Sequence, residues 1–414
     1  MFQIPQEVQQ VIHTIEQEGF EAVVVGGPVR DLLRAQTPHD WDIATSARPE
    51  QVMKWFHKTI PTGIRHGTVT VLMGNMPLEV TTYRQEAAYQ NHRQPTSVAF
   101  VSNLEEDLKR RDFTINAMAY RMSGAVVDLF GGQADLERGI IRAVGDARER
   151  FEEDALRMLR AVRFACKLDF AIEQQTAAAM QEKAPLLQYI SKERIAVELT
   201  AALCTAAPQH LLLLPQTGLA AYCLPEFVSW NEADWKNAIE RLQQLPAEKT
   251  LRLATLFQKA GETPAQCAAA AKKALKSLKL DNHTISNVTA VLIQQIVSFP
   301  AADAALKRLA RAVGEELLET VLWLHAVENY DGQQVRQWVE DAAWQYQTIK
   351  QRGEAVFLQD LALSGEDLKN VGISGKEIGE LLRALLEWVT EHPNDNQKVL
   401  LLKRANSLRK AGLK

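Results

Sequence analysis

Val25-Gly26-Gly27-Pro28-Val29-Arg30-Asp31, followed shortly by His39-Asp40-Trp41-Asp42, is the stretch on which the fold turns. The apolar run Ala22–Val25 reads as a strand, and two glycines end it before a helix begins. A strand running through Gly27 into a helix leaves backbone N–H groups free to meet phosphate oxygens. Pro28 suits the first helical position, where its missing donor costs nothing. Arg30, about one turn in, can place its guanidinium on a triphosphate. Asp40 and Asp42 lie two apart in a strand-like segment, so their carboxylates point to one face. Two converging carboxylates on a rigid strand make a hard-oxygen site suited to Mg²⁺. With two metals, one can activate a hydroxyl while the other holds a leaving pyrophosphate.

Outward from that stretch, residues 40–44, 68–73, 78–83, 97–101, 125–129 and 140–144 read as further strands, with helices over 49–56 and 104–110 between them. This alternation predicts an α+β domain on a small mixed sheet. From Ala147 onward β signals nearly vanish, and prolines from Pro208 to Pro393 punctuate an all-helical remainder. A chain of 414 residues is too long for one ordinary core and implies two to four domains. The formal net charge of −4 gives no global pull toward nucleic acid, so RNA contacts must come from local basic patches. Cys166, Cys204, Cys223 and Cys267 have neither CxxC spacing nor nearby histidines, which predicts reduced thiols and no zinc. No secretory leader over the first twenty residues and no membrane-length apolar run is recognisable, which predicts a cytoplasmic protein.

Three further motifs carry chemistry. In Leu78-Glu79-Val80-Thr81-Thr82-Tyr83 the alternation puts Glu79, Thr81 and Tyr83 on one face, and Glu79 is the candidate third carboxylate. Lys109-Arg110-Arg111-Asp112-Phe113-Thr114-Ile115-Asn116-Ala117 reads either as a helix cap or as a positioned group for nucleotide phosphates or ribose. In Glu153-Asp154-Ala155-Leu156-Arg157, Asp154 opens a series with Arg157, Arg160 and Arg163 that recurs every three residues along one helix stripe. A carboxylate beside a guanidinium offers acceptor and donor together. Cytosine and adenine both present an amino donor next to an unprotonated ring nitrogen, whereas uracil and guanine present a carbonyl and a ring N–H. An Asp–Arg pair therefore accepts C and A and leaves unpaired groups against U and G.

Together these motifs, in order and spacing, resemble the class II CCA-adding tRNA nucleotidyltransferases of Bacillus-type bacteria, over residues 1 to about 205. The resemblance implies a nucleotidyltransferase-type head over 1–145, a nucleobase-reading helical neck over 146–205, a helical body over 206–300 and a helical tRNA-binding tail over 301–414. It implies Mg²⁺ on Asp40 and Asp42, and nucleotide contacts from Gly27, Arg30, Arg111, Asp154, Arg157, Arg160 and Arg163, with Asp154 and Arg157 at the base edge. It also implies tRNA, CTP and ATP as partners, no membrane, and a homodimer. Enzymes that add only CC or only A, and bacterial poly(A) polymerases, share the head and neck motifs. A sugar transferase with a DxD metal site leaves the Gly-Gly-Arg and Arg-Arg-Asp elements unexplained, and a non-catalytic RNA-binding protein does not need the carboxylates. Residues 84–95 read as a polar loop beside the site, able to reshape the pocket between C and A addition. Lys272, Lys273, Lys276 and Lys279, and the basic end Lys403, Arg404, Arg409, Lys410 and Lys414, are plausible phosphate contacts. Ser364-Gly365-Glu366-Asp367 predicts a capped helix in the tail.

Overall fold

The computed structural model describes residues 2–86, 89–90, 94–95, 98–294 and 302–410, so part of the predicted loop (87–88 and 91–93) and Lys414 lie outside the described residues. The chain forms two compact units, Met1–Lys236 and Asn237–Lys414.

The first unit opens with α1 (Gln6–Gln17), β1 (Ala22–Val25), α2 (Gly27–Leu33), β2 (Asp42–Thr45), α3 (Pro49–Trp55), β3 (Thr59–Gly63), β4 (Thr68–Met73) and β5 (Met76–Thr82). Short strands β6 (Arg84–Glu86), β7 (Tyr89–Gln90), β8 (Gln94–Pro95) and β9 (Val98–Phe100) precede α4 (Leu104–Lys109). Then come β10 (Met118–Tyr120), β11 (Val126–Asp128), α5 (Gly132–Arg138) and β12 (Ile140–Ile141). Seven strands form one sheet in the order β11-β10-β1-β2-β5-β4-β3. Only β2 and β5 run parallel, and their register places Asp42 beside Glu79.

The two faces of this sheet differ. One carries Val24, Ile43, Leu78 and Val80, which bury against Val8, Val11, Ile12 and Ile15 of α1 and Val52 of α3. Alternation then turns Asp42 and Glu79 to the opposite face. That face is covered only in part: Val23, Val25, Ala44 and Tyr83 pack under Leu104 and Leu108 of α4. Tyr83 shares the face of Glu79 as predicted, but it is fully buried.

Two strands of the seven-stranded sheet escaped the sequence reading, and the stretch read as a loop over 84–95 carries the short strands β6, β7 and β8. β3 is a mostly exposed edge strand containing Pro61, with little apolar alternation to betray it. β10 is only three residues long and buried throughout, so it lacks alternation altogether. The strand predicted over 140–144 shrinks to Ile140–Ile141, which pairs in parallel with β13 (Ala171–Ile172).

Helices α6 (Ala147–Glu153), α7 (Leu156–Leu168), α8 (Gln174–Lys183), α9 (Lys192–Leu203), α10 (Leu213–Gln216) and α11 (Ala220–Cys223) complete the first unit, and α12 (Glu232–Gln243) spans the division. The second unit continues with α13 (Lys249–Phe257), α14 (Pro264–Ser277), α15 (Asn282–Ile293), α16 (Asp303–Val313), α17 (Glu315–Asn329), α18 (Gln333–Gln351), α19 (Gly365–Asn370), α20 (Lys376–Glu391) and α21 (Lys398–Lys410). Ser364 caps α19, its hydroxyl accepting from the Asp367 amide while the Asp367 side chain accepts from Ser364. Lys272, Lys273 and Lys276 are exposed along α14, with Lys279 just beyond its end. Among the described residues no helix is long and apolar enough to cross a membrane.

Candidate active site

The sheet face left open by α4 forms the floor of a cleft of about 910 Å³, and α7 and α9 supply residues of its wall. Gly26 links β1 to α2 in the left-handed region (φ 75°), and a Cβ there would lie 2.8 Å from Arg111 Nη1. No other residue type fits that turn without displacing the arginine. Gly27 opens α2, so Pro28 takes the second helical position, one later than predicted but still in the first turn, where a missing N–H donor costs nothing.

Asp40 lies just before β2, not within it as the sequence predicted, and it is exposed. Trp41 and Ile43 are buried, so Asp40 and Asp42 still face the cleft. Burial pushes the Asp42 carboxyl up to about 6; Arg111 opposes this, and Glu79 and Asp40 add to it. Three carboxylates thus share a floor with incomplete cationic compensation. Among the described residues, no group of three or more His, Cys, Asp or Glu side chains forms a complete metal cage. One or two carboxylates completed by substrate phosphates and water are what a small hard divalent cation takes, so the donor set fits one.

The next layer neutralises itself. Asp107 of α4 is fully buried. It holds Arg110 at 2.6 Å and Arg111 at 3.2 Å. Burial raises its pKa, but Arg111 and Arg110 outweigh this and hold it below the ordinary carboxylate value. Arg30 is also buried, donating to Asn116 Oδ1 at 2.7 Å and to Asp31 at 2.9 Å. Asn116 in turn donates to Asp112 at 3.3 Å, so the Arg-Arg-Asp motif and the Gly-Gly-Arg motif meet through one amide.

The neck departs from the single predicted stripe. The helix breaks at Asp154, whose backbone is extended (φ −141°, ψ 102°) between α6 and α7. The cause is local: Asp154 Oδ1 accepts from the Leu156 amide at 3.1 Å, offering the backbone an alternative to the helix. The Asp154 carboxylate is taken by Arg194 of α9, at 3.2 and 2.7 Å. Arg157 instead reaches Glu153 and the carbonyls of Arg150 and Arg110. Arg160 pairs with Asp112 at 2.7 Å and Arg163 with Glu198 of α9 at 2.5 Å. Burial raises the pKa of Asp112, yet Arg160, Arg157 and Asn116 hold it low. Phe164 lies beneath three guanidiniums, with Arg163 at 4.3 Å and Arg30 and Arg160 at 5.5 Å from its ring centre.

Asp40, Asp42, Glu79, Gly27, Arg30, Arg111, Asp154, Arg157, Arg160 and Arg163 all line this one cleft. Asp107, Phe164, Arg194 and Glu198 were not singled out from sequence. Asp107 carried a signal, as an acid three and four residues before two arginines on a helix. Arg194 and Glu198 look like an ordinary i,i+4 pair, and only the packing of α9 on α7 shows what each one meets.

Comparison with known proteins agrees with this architecture. Residues 22–142 match the family described as "Poly A polymerase head domain". Residues 169–230 match the "Probable RNA and SrmB- binding site of polymerase A", and residues 250–405 match a tRNA nucleotidyltransferase domain 2 model. Fold and cleft therefore define a nucleotidyltransferase with a polymerase-type head. The chain is 39% identical to the CCA-adding enzyme of Enterococcus faecalis, over 99% of this chain and 98% of that one. It is 40% identical to that of Limosilactobacillus fermentum, over 97% and 96%. The crystal structure of the Bacillus stearothermophilus CCA-adding enzyme in complex with CTP superposes with a TM-score of 0.81 at 33% identity, covering 99% of this chain and 100% of that one. The chain belongs to the family of CCA-adding enzymes.

Proposed function

We propose that this chain builds the 3′-terminal CCA of tRNA from CTP and ATP without a nucleic-acid template. The observation that carries this reading is that one cleft joins a carboxylate floor to a wall of paired acids and arginines. In the reaction, the oxygen of the tRNA 3′-hydroxyl bonds to the α-phosphorus of the nucleotide. The α–β bridging P–O bond breaks, pyrophosphate leaves, and the hydroxyl proton passes to the carboxylate floor or to water. Asp40 and Asp42 would hold Mg²⁺, which when bound eases hydroxyl deprotonation and neutralises phosphate charge. Glu79 completes the acidic floor. The amide end of α2 at Gly27, with Arg30, Arg111, Arg160 and Arg163, would hold the nucleotide. Asp154 and Arg157 would meet its base edge, with the acceptor and donor that C and A require.

The four-part division into head (1–145), neck (146–205), body (206–300) and tail (301–414) belongs to this proposal, as do the homodimer that the resemblance implies and a cytoplasmic site of action on tRNA. Exposed lysines on α14 supply charge suited to RNA phosphates. The test is to incubate the protein with tRNA lacking CCA, with CTP and ATP singly and together, and to sequence the product ends. Two C residues with CTP alone, and CCA with both, are expected. Long A tails, or a product that stops at CC with ATP present, would overturn the reading.

A further inference from the structure

Beyond Glu79 the carboxylate floor gives way to hydroxyls. Thr81 follows Glu79 on the same face of β5, two residues and about 7 Å along the strand. Its cross-strand partner is Thr68 of β4, and the two hydroxyl oxygens lie 3.0 Å apart. Both residues are partly exposed and line the cleft. Thr62 and Thr70 form a similar pair between β3 and β4, at 2.9 Å, but Thr70 is buried and neither residue lines the cleft. A threonine hydroxyl has one donor and two acceptor sites. The bond between Thr68 and Thr81 uses one of each, so the pair still offers both a donor and acceptors to the cleft. A ribose 2′-hydroxyl is likewise donor and acceptor. His66 and Arg84, two and three residues from the pair, also line the cleft, and Arg84 donates to the His66 carbonyl. The sheet order β1-β2-β5-β4 puts Asp42 and Glu79 between this pair and the amide end of α2, which leaves β1. In-line displacement needs the attacking hydroxyl on the side opposite the leaving group.

We infer that the Thr68–Thr81 pair seats the terminal ribose of the RNA acceptor through its 2′-hydroxyl, with Arg84 facing the phosphodiester behind it. This rests on the proposed reading of the cleft as one that extends tRNA. The adjacent 3′-hydroxyl is then aimed past Glu79 and Asp42 at the α-phosphorus, from the side away from the departing pyrophosphate. Neutral hydroxyls suit this stretch. A further carboxylate would repel the phosphates of the acceptor, and a cation would pair with Glu79 and discharge the floor. The pair therefore makes the enzyme favour ribose over deoxyribose at the acceptor end.

The experiment measures CTP addition to two acceptors, tRNA lacking CCA and the same tRNA with a 2′-deoxy terminal nucleotide. It compares wild type, Thr68→Val, Thr81→Val and Thr81→Ser, and reads kcat/KM for each acceptor, KM for CTP and the melting temperature. Valine keeps the branched shape and removes the hydroxyl. Wild type should use the ribose-ended acceptor about three- to tenfold better, the net worth of one hydrogen bond. In either valine variant this ratio should fall toward one, through loss on the ribose-ended acceptor alone and with KM for CTP unmoved. Thr81→Ser keeps a hydroxyl and should keep most of the ratio. A wild type indifferent to the 2′-hydroxyl would overturn the inference, and that comparison holds even where a valine variant does not fold. Folded valine variants that slow both acceptors equally would also overturn it, leaving the pair a contact between strands. If wild type builds CCA and either of those results appears, the proposed function stands and only the role of the pair falls. If wild type adds no nucleotide to either acceptor, the proposed function fails and this inference falls with it.

Discussion

Asp42 and Asp112 line the same cleft, yet their surroundings push their carboxyls in opposite directions. On the floor, Asp42 sits beside Glu79 and Asp40, and burial among like charges lifts it to about 6. On the wall, burial likewise acts against ionised Asp112, but Arg160, Arg157 and Asn116 reverse the outcome. In the proposed function the difference separates two tasks. A floor with surplus negative charge is prepared for a divalent cation and phosphates, whereas a wall whose charges are already matched offers directed donors and acceptors. In the proposed function, chemistry belongs to the first region and choice to the second.

The largest expected effect breaks the floor. Asp40→Ala or Asp42→Ala should abolish nucleotide addition while tRNA binding in a gel-shift assay survives. More than a few per cent of activity at saturating Mg²⁺ would remove these residues from the reaction. Next comes the wall: exchanging its polarity with Asp154→Arg and Arg157→Asp together should move incorporation toward UTP and GTP. If incorporation drops for all four nucleotides with an unchanged order of preference, the pair is structural. A third variant tests the step from C to A addition. Deleting residues 86–93 should leave CC addition largely intact and block the final A, and normal A addition to tRNA ending in CC would dismiss that segment. Gly26→Ala strains a left-handed turn and meets Arg111 at 2.8 Å. Its expected signature is a KM for nucleotide raised about tenfold, from an arginine displaced by an ångström or so; an unchanged KM would show that the turn yields freely.

The smallest effect is one of stability against pH. The folded pKa of Asp112 lies below its ordinary value of 3.8, so its pairing stabilises the fold above about pH 4 and is lost as pH falls below that. Asp112→Asn should therefore lower stability near neutrality, by about 2 kcal/mol for a charged hydrogen-bonded pair. The gap to wild type should narrow as pH drops toward 3. A gap that stayed constant with pH would mean the loss is one of packing.

These regions were not equally legible in the sequence. The floor could be read almost entirely, because its chemistry lies on short segments with local rules: a strand ending in Gly26-Gly27, and two aspartates flanking a buried Trp41. Even the face of Glu79 followed from alternation. The wall was harder to read. A three-residue spacing suggested that Asp154 and the arginines share one helix, but the side chain of Asp154 bonds the Leu156 amide and interrupts it. Its partner, Arg194, stands forty positions away, and no periodicity links residues on two packed helices. The second unit yielded its helices and the Ser364 cap for the same reason the floor was legible, since caps and amphipathic faces are local.

Whether floor and wall are separable is open to a direct measurement. Equilibrium binding of CTP, ATP, UTP and GTP to the Asp42→Asn variant, with tRNA lacking CCA present, reads choice after chemistry has been removed. Tighter binding of CTP than of UTP, as in wild type and with no turnover, is the predicted result. Loss of that preference together with catalysis would contradict a division between a floor that reacts and a wall that selects.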